Sequence, residues 1–154
     1  MIDQFERDAT LPTKAIASLT TAELNSLPIA GTWSIQQCIL HLLDSDLVGS
    51  DRMKRVTSEP TPTLLAYDET LFVKNLYYDQ LDPTLACEIF RLNRLMMAAI
   101  LRKLPDDAFK RTGNHTERGI ESLEMLVEGY VDHLQHHLKF IREKRLKLGK
   151  PMAE

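Results

Sequence analysis

Three of the chain's five histidines, His133, His136 and His137, fall within five residues in the stretch VDHLQHHLKF. His133 and His137 are four apart, so a helix stands them one turn above the other on one face. Two imidazoles placed this way can hold one metal ion. A third ligand must come from elsewhere, and His41 is the best candidate. The glutamate of the HExxH zinc-protease helix is missing, because the sequence reads His-Leu-Gln-His-His. No Glu-x-x-His pair of the di-iron bundles is present either, since Tyr130, His133 and Leu134 stand three before the three histidines. A mononuclear three-histidine site remains. Neutral imidazoles suit zinc, nickel, cobalt or iron, and three of them leave a position open to water or substrate. The plainer alternative is a helix whose histidines face solvent or are satisfied by neighbours. Against it, the pair lies toward the apolar side of its helix, where a neutral ring still needs partners for its nitrogens.

The elements that must position these rings are helical. Glycine is scarce, alternation of the strand type is hard to find, and periodicity near 3.6 dominates, so the expected class is all-α. Pro12 fits a first helical turn, giving a helix over 12–18, and Thr20 or Thr21 caps a short piece ending at Leu24. Ser34-Ile-Gln-Gln37 reads as a capping box, so a long helix starts near Trp33 and stops before Pro60. Its apolar positions are Ile35, Ile39, Leu42, Leu43, Leu47 and Met53. His41 shares a more polar stripe with Ser34, Gln37, Cys38, Asp44, Ser45 and Arg52, which lines a hydrated cleft or faces water. A short helix is expected around DETLFVKNL. Asp82-Pro83 opens a third long helix to about Leu104, with Leu85, Ile89, Leu92, Met96, Ile100 and Leu104 as its inward stripe. DDAFKRTGNHTERG is a connecting segment carrying His115. The last helix runs from about Glu121 to Leu148, with Leu123, Leu126, Val127, Tyr130, Leu134, His137 and Ile141 on one broad face. Lys139, Arg142, Lys144, Arg145 and Lys147 suit the negative end of its dipole.

A chain of 154 residues suggests one domain, 1–154, with a sizeable core. With 44% apolar and 27% charged residues and a net charge of −3, nucleic acid and acidic lipid are not expected partners. Two cysteines, Cys38 and Cys87, make no disulfide framework and fit a reducing cytoplasm. The charged start MIDQFERDAT lacks the apolar centre of a signal peptide, and the apolar runs are too short to span a bilayer.

GTWSIQQCILHLLDSD resembles the second-helix signature of the DinB superfamily, in particular its YfiT-like branch, which reads roughly G-G-W-[TS]-V-[RK]-Q-[VI]-x-H-H-L-x-D-S. Trp33 falls on the tryptophan and His41 on the second histidine of that pattern. In the same register Arg52 in DRMKR and Glu59-Pro60 in SEP match. NHTERGIESLEMLVEGYVDHLQHHLKFI resembles the region H-P-x-x-G … W-H-x-x-H-H-L-x-x-I, with His115 on the loop histidine and His133 and His137 on the metal pair. The likeness covers nearly the whole chain with segments in order. It implies a four-helix bundle with short extra helices in its connections, one divalent metal ion on His41, His133 and His137, and often a homodimer. Zinc and nickel lead, with iron, cobalt or manganese also compatible. Many members carry only the label of metal-dependent hydrolase. Some are thiol S-transferases that join a low-molecular-weight thiol, such as bacillithiol or mycothiol, to an electrophile. Here the chain departs at three places: Leu40 replaces the first histidine of the pair, Asp132 the tryptophan before His133, and Thr116 the proline after His115. None removes a ligand, but the changes near His133 and His115 bear on the substrate.

The expected activity is therefore a metal-dependent enzyme on a small molecule, of the hydrolase or thiol S-transferase type. Asp44 is its candidate second-sphere acid or general base, against the reading of a solvated helix acid. Arg52 is its candidate holder of a substrate carboxylate or phosphate, against a surface ion pair. Cys38 reads as a buried structural thiol rather than a fourth ligand, Trp33 as a core anchor, and His136 as exposed or donating to an acid. The competing class is a non-catalytic, stress-related bundle in which metal stabilises the fold or a dimer. That needs a closed site, with Cys38 or Asp44 as fourth ligand. A member that has lost its metal is a third reading, opposed by the intact histidine set.

Overall fold

The computed structural model describes residues 1–152. Its helices are α1 (Ile2–Arg7), α2 (Leu11–Ile16), α3 (Thr21–Asn25), α4 (Ile35–Ser58), α5 (Glu69–Asn75), α6 (Pro83–Leu101) and α7 (Leu123–Lys147); β1 (Thr63–Leu64), β2 (Thr112–His115) and β3 (Gly119–Ser122) complete it. Four helical columns form the bundle. α4, α6 and α7 are continuous, and the fourth column is α1 and α2, joined by a 3-10 turn over Asp8–Thr10. Pro12 sits in the first turn of α2, where its missing N–H does no harm.

Helix starts are set by side-chain caps. The Ser34 hydroxyl accepts from the Gln37 N–H at 3.1 Å, and the Gln37 side chain accepts from the Ser34 N–H at 2.9 Å. Thr20 and Glu23 repeat this box before α3. Asp82 accepts from two N–H groups of α6, with Pro83 following.

The core has two apolar clusters stacked along the bundle. One gathers Ile35, Ile39, Leu42, Phe90, Leu134 and Leu138, the other Met53, Val56, Met97, Leu101, Leu123 and Val127. Each fully buried side chain of this size contributes roughly 1.5–3 kcal/mol. Between the clusters in the order of each helix lie Asp46 and Arg94, an ion pair at 2.8 Å with both side chains almost wholly buried. The Arg94 guanidinium lies over the Phe5 and Phe90 rings and also donates to the Tyr130 carbonyl. It ties α1, α4, α6 and α7 together.

Several expectations need correction. Leu85, Ile89, Leu92 and Met96 are exposed; the buried face of α6 is Ala86, Cys87, Phe90, Arg94, Met97, Ala98 and Leu101. The inward stripe is rotated because its centre is a charged residue satisfied by Asp46 and its edges are small alanines. α6 ends at Leu101 rather than near Leu104. Leu47 is exposed, while the other apolar positions assigned on α4 are buried. Lys144 and Arg145 stand in the last turn of α7, as expected, and are also buried; Arg145 donates to the Ala15 and Ala17 carbonyls at the end of α2. The segment before α7 is not plain connection: β2 and β3 form an antiparallel hairpin, and β1 joins β2 in parallel. Among the described residues no helix is long and apolar enough to cross a membrane.

Candidate functional site

α4 and α7 pack side by side, and one stripe of each faces the other. On α4 the stripe is His41, Ser45, Gly49 and Arg52, spaced four, four and three. On α7 it is Leu126, Tyr130, His133 and His137, spaced four, three and four. These intervals hold side chains on one helical face. Of the polar stripe of α4, His41, Ser45 and Arg52 line a cleft, while Ser34, Gln37, Cys38 and Asp44 do not.

His41, His133 and His137 converge. One ring nitrogen from each lies within 4.8 Å of the others, and the Nε2 atoms of His41 and His133 are 3.1 Å apart. Two nitrogens on a tetrahedral ion, each at about 2.05 Å, stand about 3.3 Å apart. The spacing therefore suits a shared ion. Burial, the leading cause for all three rings, pushes His41 and His137 down to about 4 and His133 to about 3. At neutral pH each presents a lone pair rather than a proton, which is what a metal ligand requires. Cys38 and Asp44 are not in this cluster, so among the described residues it has three members only. The Trp33 ring, at the mouth of α4, stacks parallel to His137 and lies 5.0 Å from His41. It thus borders the cluster besides anchoring the core. His136 is exposed and packs edge-on against Phe140.

A cleft of about 330 Å³ opens beside the cluster, with His41, His133, Ser45, Arg52, Tyr130 and His115 on its wall. Arg52 is buried. Its guanidinium donates to the Tyr130 hydroxyl at 3.0 Å and to the Leu65 carbonyl at 2.5 Å, and it makes no ion pair among the described residues. Asp44 lies off the cleft wall and accepts a short hydrogen bond from the Tyr78 hydroxyl. Both cysteines are free and buried, and burial pushes Cys38 up to about 11 and Cys87 to about 12. They are inert thiols in this setting.

Residues that the sequence did not single out complete the wall. Tyr67 arrives on the segment after β1, and Glu117, Arg118 and Glu121 on the hairpin. The two pieces are stitched together: Asn114 N–H donates to the Pro62 carbonyl, Thr116 N–H to the Leu64 carbonyl, and Ala66 N–H to the Thr116 hydroxyl. No local pattern announces this, because the pairing spans some fifty residues.

The DinB superfamily model matches residues 4–141. The chain belongs to the DinB superfamily. It is 29% identical over 137 residues to "Putative metal-dependent hydrolase YfiT" of Bacillus subtilis, covering 88% of this chain and 77% of that protein. A "Putative metal-dependent hydrolase" of Bacillus licheniformis is 29% identical over 136 residues, covering 88% of this chain and 77% of that protein. One in Oceanobacillus iheyensis is 27% identical over 140 residues, covering 91% and 81%. The solved structure of Bacillus subtilis YfiT, described as "a probable metal-dependent hydrolase with an unusual four-helix bundle topology", superposes with a TM-score of 0.91 at 28% identity, over 97% of this chain and 86% of that one. The fold is thus the YfiT four-helix bundle, as the family likeness implies.

Proposed function

We propose that this chain is a metal-dependent enzyme of the hydrolase or thiol S-transferase type, with a divalent ion held by His41, His133 and His137. The observation that carries this reading is the three-membered set of neutral imidazoles, two of which, His41 and His133, line a cleft, with neither Cys38 nor Asp44 in the cluster as a fourth ligand. His41, His133 and His137 would hold a divalent ion, which would supply Lewis-acid activation of a water or thiol nucleophile near neutral pH. Zinc, nickel, iron and cobalt suit this imidazole donor set better than manganese, which favours oxygen ligands. The chain's own residues do the rest. Burial keeps the three rings unprotonated, Trp33 walls off their outer side, and Arg52 waits on the cleft wall to hold an anionic group of the substrate. Asp44 fixes the Tyr78 hydroxyl behind α4 and acts as a positioning residue. The cosubstrate for the transferase activity is a low-molecular-weight thiol. Two free, buried cysteines fit the reducing cytoplasm as the place of work.

The competing role, a metal site that only stabilises the bundle, calls for a closed shell. The test is turnover: chelator-treated protein and protein reloaded with zinc or nickel are screened for ester hydrolysis and for conjugation of small thiols to electrophiles. Activity that appears only on reloading supports the enzyme. A metal that raises the melting temperature yet gives no turnover in either screen would assign it the structural role.

A homodimer through α6 is part of this proposal. Leu85, Ile89, Leu92 and Met96 form an exposed apolar stripe, flanked by the ion-paired Glu88 and Arg91. A two-fold copy would meet those opposite charges in reverse order, so the face is self-complementary.

A further inference from the structure

We infer that Arg52 and His115 form a carboxylate-binding subsite in the cleft, separate from the three-histidine cluster. The inference deepens the role given to Arg52 in the preceding section and rests on its reading that the cleft receives a substrate with an anionic group, not on the metal.

His115 ends β2 and closes the hairpin turn. Its Nδ1 accepts two backbone N–H groups, from Glu117 at 3.2 Å and Arg118 at 3.3 Å. A nitrogen facing two N–H donors carries no proton, so the neutral ring bears its proton on Nε2. Protonating the other nitrogen would break both bonds, so this ring stays a neutral donor and does not serve as a base. The Nε2 atom is buried, on a residue 2% exposed, and has no hydrogen-bond partner among the described residues. Burying a donor in this way is costly unless something accepts from it.

Arg52 presents the same feature. The residue is 4% exposed, two of its nitrogens are satisfied by Tyr130 and Leu65, and its Nε–H is buried without a partner. Its charge has no carboxylate within ion-pair distance among the described residues, whereas Arg118 nearby is matched to Glu121 by two bonds. Both His115 and Arg52 line the same cleft. Two fixed donors, one of them cationic, call for a ligand group with two acceptor oxygens and one negative charge.

The surrounding charges choose among oxyanions. Glu69 and Glu117 stand exposed at the edge of the cleft. They oppose a doubly charged phosphate more strongly than a singly charged carboxylate. They also favour a ligand that carries an ammonium group beside its carboxylate. Along α4, Arg52 stands eleven residues from His41, about 16 Å at the helical rise. The arginine side chain spans part of that gap. A bound molecule can therefore reach the histidine cluster with one end while its carboxylate stays on Arg52 and His115.

The test uses the full-length protein, once treated with chelator and once reloaded with zinc. Propionate, propionamide and inorganic phosphate are titrated while the ring and guanidinium N–H signals of His115 and Arg52 are followed by NMR. The expected result is binding of propionate without metal, a shift of the His115 Nε2–H signal, and an affinity at least about tenfold above that of propionamide. His115→Leu should weaken propionate by about tenfold, and His115→Gln, which keeps an N–H donor, should restore most of it. Equal binding of propionamide, tighter binding of phosphate, or no response up to about 100 mM propionate overturns the subsite. Binding that needs zinc and ignores His115→Leu also overturns it, placing the carboxylate at the metal instead. Because the chelator-treated arm contains no metal, failure of the metal assignment leaves this test readable.

Discussion

Gly49 of α4 carries the ring of Tyr130 from α7 directly on its backbone: a Cβ at position 49 would lie 2.3 Å from the Tyr130 Cζ. That contact lets α4 and α7 approach at the level of the cleft. It also seats the Tyr130 hydroxyl where Arg52 donates to it at 3.0 Å. Gly49→Ala should therefore destabilise the protein by about 1–3 kcal/mol through overpacking, despite the better helix propensity of alanine. Urea unfolding measures the loss. A stability equal to or above that of the parent chain would show that the ring can step aside.

The Asp46–Arg94 pair predicts an asymmetry between single and double variants. Arg94→Met leaves the Asp46 carboxylate buried and uncompensated and should lose about 3–5 kcal/mol. Replacing both, as Arg94→Met with Asp46→Leu, removes the stranded charge and should lose less than the single change. Additive losses in a thermodynamic cycle would argue that the two side chains act separately, against their 2.8 Å contact.

The helices and the His133–His137 pair were legible in the sequence for local reasons, whereas the family and the meeting of His41 with that pair were legible only through the family resemblance. Ser34 and Asp82 mark helix starts by hydrogen bonds within three residues, and the four-residue spacing of His133 and His137 is a property of one helix. What was hidden depended on distant partners. Arg94 is enclosed by Asp46 and two phenylalanine rings, and the burial of this charged side chain turns the inward face of α6 away from its apolar stripe. Arg52 looked equally suited to the surface because its acceptors, Leu65 and Tyr130, are far away in the chain. The hairpin around His115 is short, polar and stitched to residues 62–66 through backbone groups, so no alternation of side chains announced it.

Acid should destabilise the metal-free protein earlier than a chain without this cluster. Burial holds His41, His133 and His137 at about 4, 3 and 4, while the same residues in an unfolded chain titrate near 6.5. Between those values the unfolded state binds more protons, so stability is full above about pH 6.5 and falls as pH drops toward 4. A differential of one to two protons gives a slope of roughly 1.4–2.8 kcal/mol per pH unit. Urea midpoints at several pH values in chelator measure it, and His133→Ala should flatten the slope. An unchanged slope in that variant would mean the cluster is solvated in solution.

The α6 stripe makes a prediction about assembly. Sedimentation should find a dimer at micromolar concentration, and Leu92→Asp should convert it to monomer with little loss of fold, since Leu92 is exposed in the single chain. A monomer before substitution, or a dimer untouched by it, removes α6 as the contact face.

The most direct measurement is elemental analysis of tag-free protein beside His41→Ala, His133→Ala and His137→Ala. The account predicts about one equivalent of a divalent metal in the parent chain and a loss of affinity of at least tenfold in every variant, because each removes one of three ligands. Circular dichroism checks that the variants keep their helices. No metal in the parent even after loading with zinc or nickel, or full occupancy in any of the three variants, would contradict the site.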